Sequence, residues 1–216
     1  MATEQPLFEL EYILALNRWD ELVEYLNRTE EFLQKAQGEF ESWASEQIKR
    51  LSDTQRQEFY EYYADDYVRY QEGFPRILRN SFFISAYSLM EYEMGMICKR
   101  LQRKKQIPIR WNDLRGDVLE RAKLYCKLTG LDLPYDDQTW QEINRYSKVR
   151  NCIVHKSGLL KEFQGDQDLI AYITRKGIIS QDTIEQEIAL TEQFCREVAS
   201  TIHAFLEKIR IALAKL

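Results

Sequence analysis

Between Pro75 and Lys105, the residues Ile84, Tyr87, Glu91, Met94, Cys98 and Leu101 recur at alternating steps of three and four. That spacing keeps one side chain per turn on a single stripe of an α-helix and on no face of a strand. The run therefore predicts a long amphipathic helix around which an all-α fold is packed. One member of the stripe is a carboxylate. Glu91 in a core-facing slot is costly unless it is paired or protonated, so a counter-charge must come from elsewhere in the chain.

The flanking sequence extends the helical reading. Only 8 Gly and 4 Pro occur in 216 residues, and a chain 44% hydrophobic and 30% charged reads as an ordinary soluble globular protein with an adequate core. Residues 7–51 carry helical periodicity, with a break expected at Asn27-Arg28-Thr29-Glu30, where Thr29 can cap a second helix. Ser52-Asp53-Thr54-Gln55 has capping-box form and starts another helix, whose Tyr60, Tyr63, Tyr67 and Tyr70 read as a packing face rather than a base-stacking platform. Gly73-Phe74-Pro75 ends that helix, and Pro75 suits the first position of the next. These signals divide the chain into an N-terminal helical extension, residues 1–72, packed on a helical domain, residues 73–216.

Beyond Ile107-Pro108 a shorter helix is expected, capped by Asp113 or Asp117 and closed by Gly130. Residues 132–137 form a loop leading to a helix over about 137–156. The Leu169–Ile173 run, then Gly177, Ile178 and Ile179, has the composition of a small β-hairpin near residues 168–190, extended by residues 184–190. Thr191 begins a last amphipathic helix running to about Ala214.

A net charge of −5 supplies no global basic field, so DNA is not an expected partner. No basic leader and no run of 18 apolar residues occurs, which predicts no signal peptide, no membrane span and a cytoplasmic location. Cys98, Cys126, Cys152 and Cys195 lack metal-ligand spacing and read as reduced core thiols; neither a metal nor a cofactor is expected. Phosphate loops, nucleophile elbows, zinc-protease helices and EF-hand loops are all missing. His203, between Ile202 and Phe205, reads as structural. The densest basic cluster is Lys99, Arg100, Arg103, Lys104 and Lys105, with Arg110 following. Cations there complement a helix C-terminus, and they are also candidates for contact with an RNA backbone.

The remaining chemistry lies in Arg150-Asn151-Cys152-Ile153-Val154-His155. On a wheel stepping about 100° per residue, Arg150 falls amid Val149, Ile153, Tyr146, Ile143 and Val154, while Ser147, Asn151 and His155 form a polar strip alongside. A guanidinium cannot shed its charge, so Arg150 needs an acid, an interface or an anion. Glu91 is the predicted acid, across packed helices or across a dimer seam. An imidazole can give or take a proton at cellular pH, and a guanidinium offers a forked donor to a phosphate gaining charge. Attack of a ribose 2′-hydroxyl on its neighbouring phosphodiester needs both groups. Five residues separate the two side chains by about 140° around the helix, so one chain's pair converges poorly and a two-fold dimer would assemble a better cleft.

Arg150, Asn151 and His155 near the end of a core helix resemble the Arg-x4–6-His signature of the HEPN superfamily. The earlier helix, from Ser81 through Glu91 to Leu101, is similar to the preceding core helix of that family. The resemblance covers residues 75–158 and the final helix. It implies an α-helical bundle of HEPN type and metal-independent endoribonuclease activity in a homodimer. It further implies service as a toxin or anti-phage defence effector, with an antitoxin or defence-system partner. Arg150, His155 and Asn151 would be catalytic, supported by Glu91 and Ser147. Ser157 stands where related minimal toxins carry a tyrosine, so neutralisation by adenylylation of that tyrosine does not carry over. The alternative is a noncatalytic dimerisation, adaptor or nucleotide-binding module of the same superfamily. In it Arg150 would be a structural partner of Glu91, and His155 a cation at the helix C-terminus.

Overall fold

The computed structural model describes residues 4–131, 137–163, 166–180 and 186–215, without the side chains of residues 4–13 and 162–163. The chain is mostly helical. In order, the helices are α1 (Glu4–Ile48), α2 (Asp53–Val68), α3 (Phe74–Lys105), α4 (Val118–Leu128), α5 (Gln138–Lys156), α6 (Gln167–Lys176) and α7 (Glu192–Leu213).

The periodic stripe does organise the core. Helix α3 buries Phe82, Phe83, Ala86, Tyr87, Met90, Met94, Cys98 and Leu101, and α1, α4, α5 and α7 all pack against it. At the crossing of α3, α5 and α7, the rings of Phe83, Tyr146 and Phe194 meet with centroids 5.8–6.2 Å apart, two of the three pairs edge to face. Such aromatic pairs add roughly 1 kcal/mol each beyond area burial. Gly95 lets α3 approach Trp111, because a Cβ there would lie 3.1 Å from the indole. The four cysteines are free and buried.

Three local expectations are corrected. First, α1 runs unbroken through residues 27–30: the Thr29 hydroxyl donates to the Tyr25 carbonyl at 2.7 Å instead of capping a new helix. The neighbouring Glu30, only 2% exposed, accepts two bonds from Arg79, at 2.7 and 3.0 Å, and so clamps α1 to α3. Second, Pro75 lies in the first turn of α3 as expected, but the helix before it does not end. A π-helical turn, Arg69–Gly73, joins α2 to α3. Proline lacks an N–H and its ring crowds the carbonyl four residues back, and a widened turn accommodates both. The division between residues 72 and 73 therefore falls inside a continuous helix. The tyrosine stripe of α2 packs on α1, with Phe40 against Tyr67 and Tyr70, and Trp43 against Phe59 and Tyr63.

Third, the Leu169–Ile173 arm of the β-hairpin expected near residues 168–190 is helical. Residues 178–180 and 187–189 do meet antiparallel, the Ser180 N–H donating to the Glu187 carbonyl and the Ala189 N–H to the Ile178 carbonyl, both at 3.0 Å. The Leu169–Ile173 run lies in α6, whose N-terminus is capped by Asp166 and whose end is turned by Gly177 at φ +64°. Leu169, Tyr172 and Ile173 are buried at the positions a helix would bury. Among the described residues there is no strand, only isolated antiparallel bridges joining Leu159 to Glu187 and Ile179 to Ile188. The expected loop at residues 132–136 and the hairpin extension at Ile184 lie outside the described residues. Helix α7 begins behind Thr191, whose hydroxyl accepts from the Phe194 N–H, as its sequence predicts. No described helix is long and apolar enough to cross a membrane.

Candidate functional site

Helix α5 is capped by Asp137, which accepts from the Trp140 N–H at 2.9 Å. Burial opposes ionisation of this carboxyl. The Lys208 ammonium and backbone N–H groups outweigh that effect and hold it below the usual carboxylate range. At the other end, Ser157 turns the chain in a left-handed conformation, φ +52°, leaving His155 and Lys156 in the last turn. The buried side chains of α5 are Trp140, Ile143, Tyr146, Val149 and Cys152. They form one row at a spacing of three, and such a row winds about 60° backwards per step around a helix of 3.6 residues per turn.

That winding corrects the placement of Arg150. It does not sit in the middle of an apolar face. By the last turns the buried row has moved away from it, leaving Arg150 half-buried on the rim, Ile153 partly buried and Val154 exposed. One guanidinium nitrogen, Nη1, donates to Asn151 Oδ1 at 3.0 Å, and Nε is buried with no hydrogen-bond partner. Asn151 and His155 are exposed.

Glu91 faces this rim from α3, as predicted. It is half-buried, and burial raises its pKa, while the nearby charge of Arg150 draws it back down. Asp117 at the start of α4 pushes it up further and Arg121 lowers it. Among the described residues, neither Glu91 nor Arg150 closes an ion pair. Ser147 neighbours Tyr87, whose phenol burial raises far above its ordinary range. The result is a polar cluster at the junction of three helices: Tyr87 and Glu91 from α3, Asp117 and Arg121 from α4, Ser147 and Arg150 from α5. Tyr87, Asp117 and Arg121 were missed by the sequence reading. Tyr87 was legible as the member of the α3 stripe one turn before Glu91; Asp117 was legible only as a helix cap, and nothing in the sequence marked Arg121.

The basic cluster is not part of this junction. Lys99, Arg103, Lys104 and Lys105 are exposed along the end of α3, beginning eight residues or about 12 Å beyond Glu91. Arg100 is half-buried against Leu14, Met96 and Leu213, and burial lowers its pKa. His203 is exposed on α7. Among the described residues, no group of three His, Cys, Asp or Glu side chains is placed to hold a metal ion.

Compared with known proteins, the chain matches no family model, no curated protein and no solved structure.

Proposed function

We propose that this chain is a metal-independent endoribonuclease of HEPN type, acting as a homodimer in a toxin or defence role. The observation that carries the reading is Arg150. Its charge is held at a helix rim by Asn151, with no carboxylate closed upon it and a protonation-prone acid, Glu91, as its neighbour. A fixed cation left without a counter-ion at an accessible edge is an anion site.

His155 lies on the same exposed end of α5. In the reaction it removes the proton of a ribose 2′-hydroxyl, whose oxygen attacks the adjacent phosphorus. The bond to the 5′-oxygen breaks, and that oxygen takes a proton from the histidine of the second protomer. Arg150 stabilises the charge that grows on the phosphoryl oxygens. The products are a 2′,3′-cyclic phosphate and a 5′-hydroxyl. Glu91, Ser147 and Tyr87 act as positioning residues behind Arg150.

Induced expression of wild type beside His155→Ala in a bacterium tests the reading. Growth arrest with loss of RNA in wild type alone is expected. Equal growth of the two strains, with intact RNA, would leave the noncatalytic adaptor as the function.

A further inference from the structure

A second polar site lies on the same helix. Gln138, Gln141, Glu142 and Arg145 of α5 and Arg175 and Lys176 of α6 line an open cleft. Arg145, Arg175 and Lys176 surround the buried Tyr172, with their charges 5.3, 5.6 and 5.8 Å from its ring centroid. The carboxylates present are already engaged. Glu142 accepts from the Tyr172 hydroxyl at 2.8 Å and from Arg145 at 2.7 Å. Glu197 accepts from Lys176 at 2.8 Å. Arg175 is exposed and, among the described residues, forms no ion pair. Three cations thus meet two committed carboxylates, beside the two amide side chains of Gln138 and Gln141.

The cleft is continuous with the Arg150–His155 end. The exposed face of α5 passes from Gln141 and Arg145 through Asn144 and Lys148 to Asn151 and His155. Ten residues of helix, about 15 Å, separate Arg145 from His155. That span suits a few nucleotides of single strand.

We infer that the α5–α6 cleft is a backbone-phosphate subsite for single-stranded RNA, with Arg175 as its principal cation, holding the strand away from the scissile bond. The inference rests on RNA being what Arg150 and His155 act upon. Arg175 meets a phosphate as an unpaired charge, Arg145 and Lys176 add field, and the glutamine amides face the adjoining base or ribose.

The test is fluorescence anisotropy with a 5′-labelled single-stranded RNA, measured in a His155→Ala background so that the probe survives. Adding Arg175→Ala is expected to weaken binding several-fold and to lower the slope of log affinity against log salt by about 0.7, the value for one phosphate contact on a single strand. Arg175→Lys should restore most of both. Unchanged affinity and slope overturn the subsite. Cleavage by wild type with binding indifferent to Arg175 sinks the subsite and leaves the nuclease reading standing. Arg175-dependent binding without any cleavage does the reverse, and a wild type that binds no RNA removes both.

Discussion

Glu91 of α3 and Arg150 of α5 face one another across a helix seam without closing into an ion pair. Burial drives the carboxyl toward its neutral form, the guanidinium pulls it toward the charged form, and burial prevails. Because no carboxylate closes on it, Arg150 keeps a charge that an incoming anion can meet. The two residues should therefore be coupled, though less than a closed pair. A double-mutant cycle of Glu91→Gln and Arg150→Gln at neutral pH is expected to give an attractive coupling of at least about 0.5 kcal/mol. Strict additivity would contradict it.

The same shift sets a pH signature. Because the folded pKa of Glu91 lies above the ordinary 4.5, its contribution to stability is full below that value and is lost as pH rises through the folded pKa. Glu91→Gln does not titrate. Urea unfolding at pH 4 and pH 7 should show the variant gaining on wild type at the higher pH; a pH-independent difference would reject the assignment.

Asp166 carries the opposite sign. The Lys148 ammonium holds its carboxyl below the ordinary 3.8, slight burial opposes, and the Leu169 N–H adds to the lowering. Its stabilising effect is present above 3.8 and lost as pH falls through the folded value. Asp166→Ala also removes the cap of α6 and should cost about 1 kcal/mol at neutral pH. Thermal unfolding across pH 3 to 7 should show the wild-type advantage shrinking in acid.

Arg79→Ala is expected to be the most damaging change away from the site. It strands Glu30, a carboxylate 2% exposed, without its bidentate partner. Removing one member of a buried pair costs about 3–5 kcal/mol. Chemical denaturation should show a loss of that size, and a loss below about 1 kcal/mol would mean that water reaches Glu30.

Much of this architecture was legible in the residues. The α3 stripe, the helix ending at Lys156, the cap at Thr191 and the approach of Glu91 to Arg150 all follow from spacing and charge. What failed did so for identifiable reasons. The Leu169–Ile173 run has strand-like composition, and the signals that decided for a helix, Asp166 before it and Gly177 after it, are single residues. The break at Thr29 was a misread cap, because a hydroxyl that can cap a helix can also bond backwards within one. The turn before Pro75 needed the widened π geometry, which no local spacing announces. Arg150 was placed on a fixed apolar face, whereas packing on α7 and α3 selected a row of every third residue that winds away from it.

The proposed reaction, RNA cleavage by Arg150 and His155 without a metal, is open to direct measurement. The direct measurement is cleavage of a labelled single-stranded RNA by purified wild type, Arg150→Ala and His155→Ala in excess chelator, with the product ends identified. Wild type should cleave and leave 2′,3′-cyclic phosphate. Each variant should keep its helical signal and lose about 10²–10⁴-fold in rate, the range for a removed proton-transfer or charge-stabilising group. Cleavage that vanishes with chelator, or that survives both substitutions, would contradict the account.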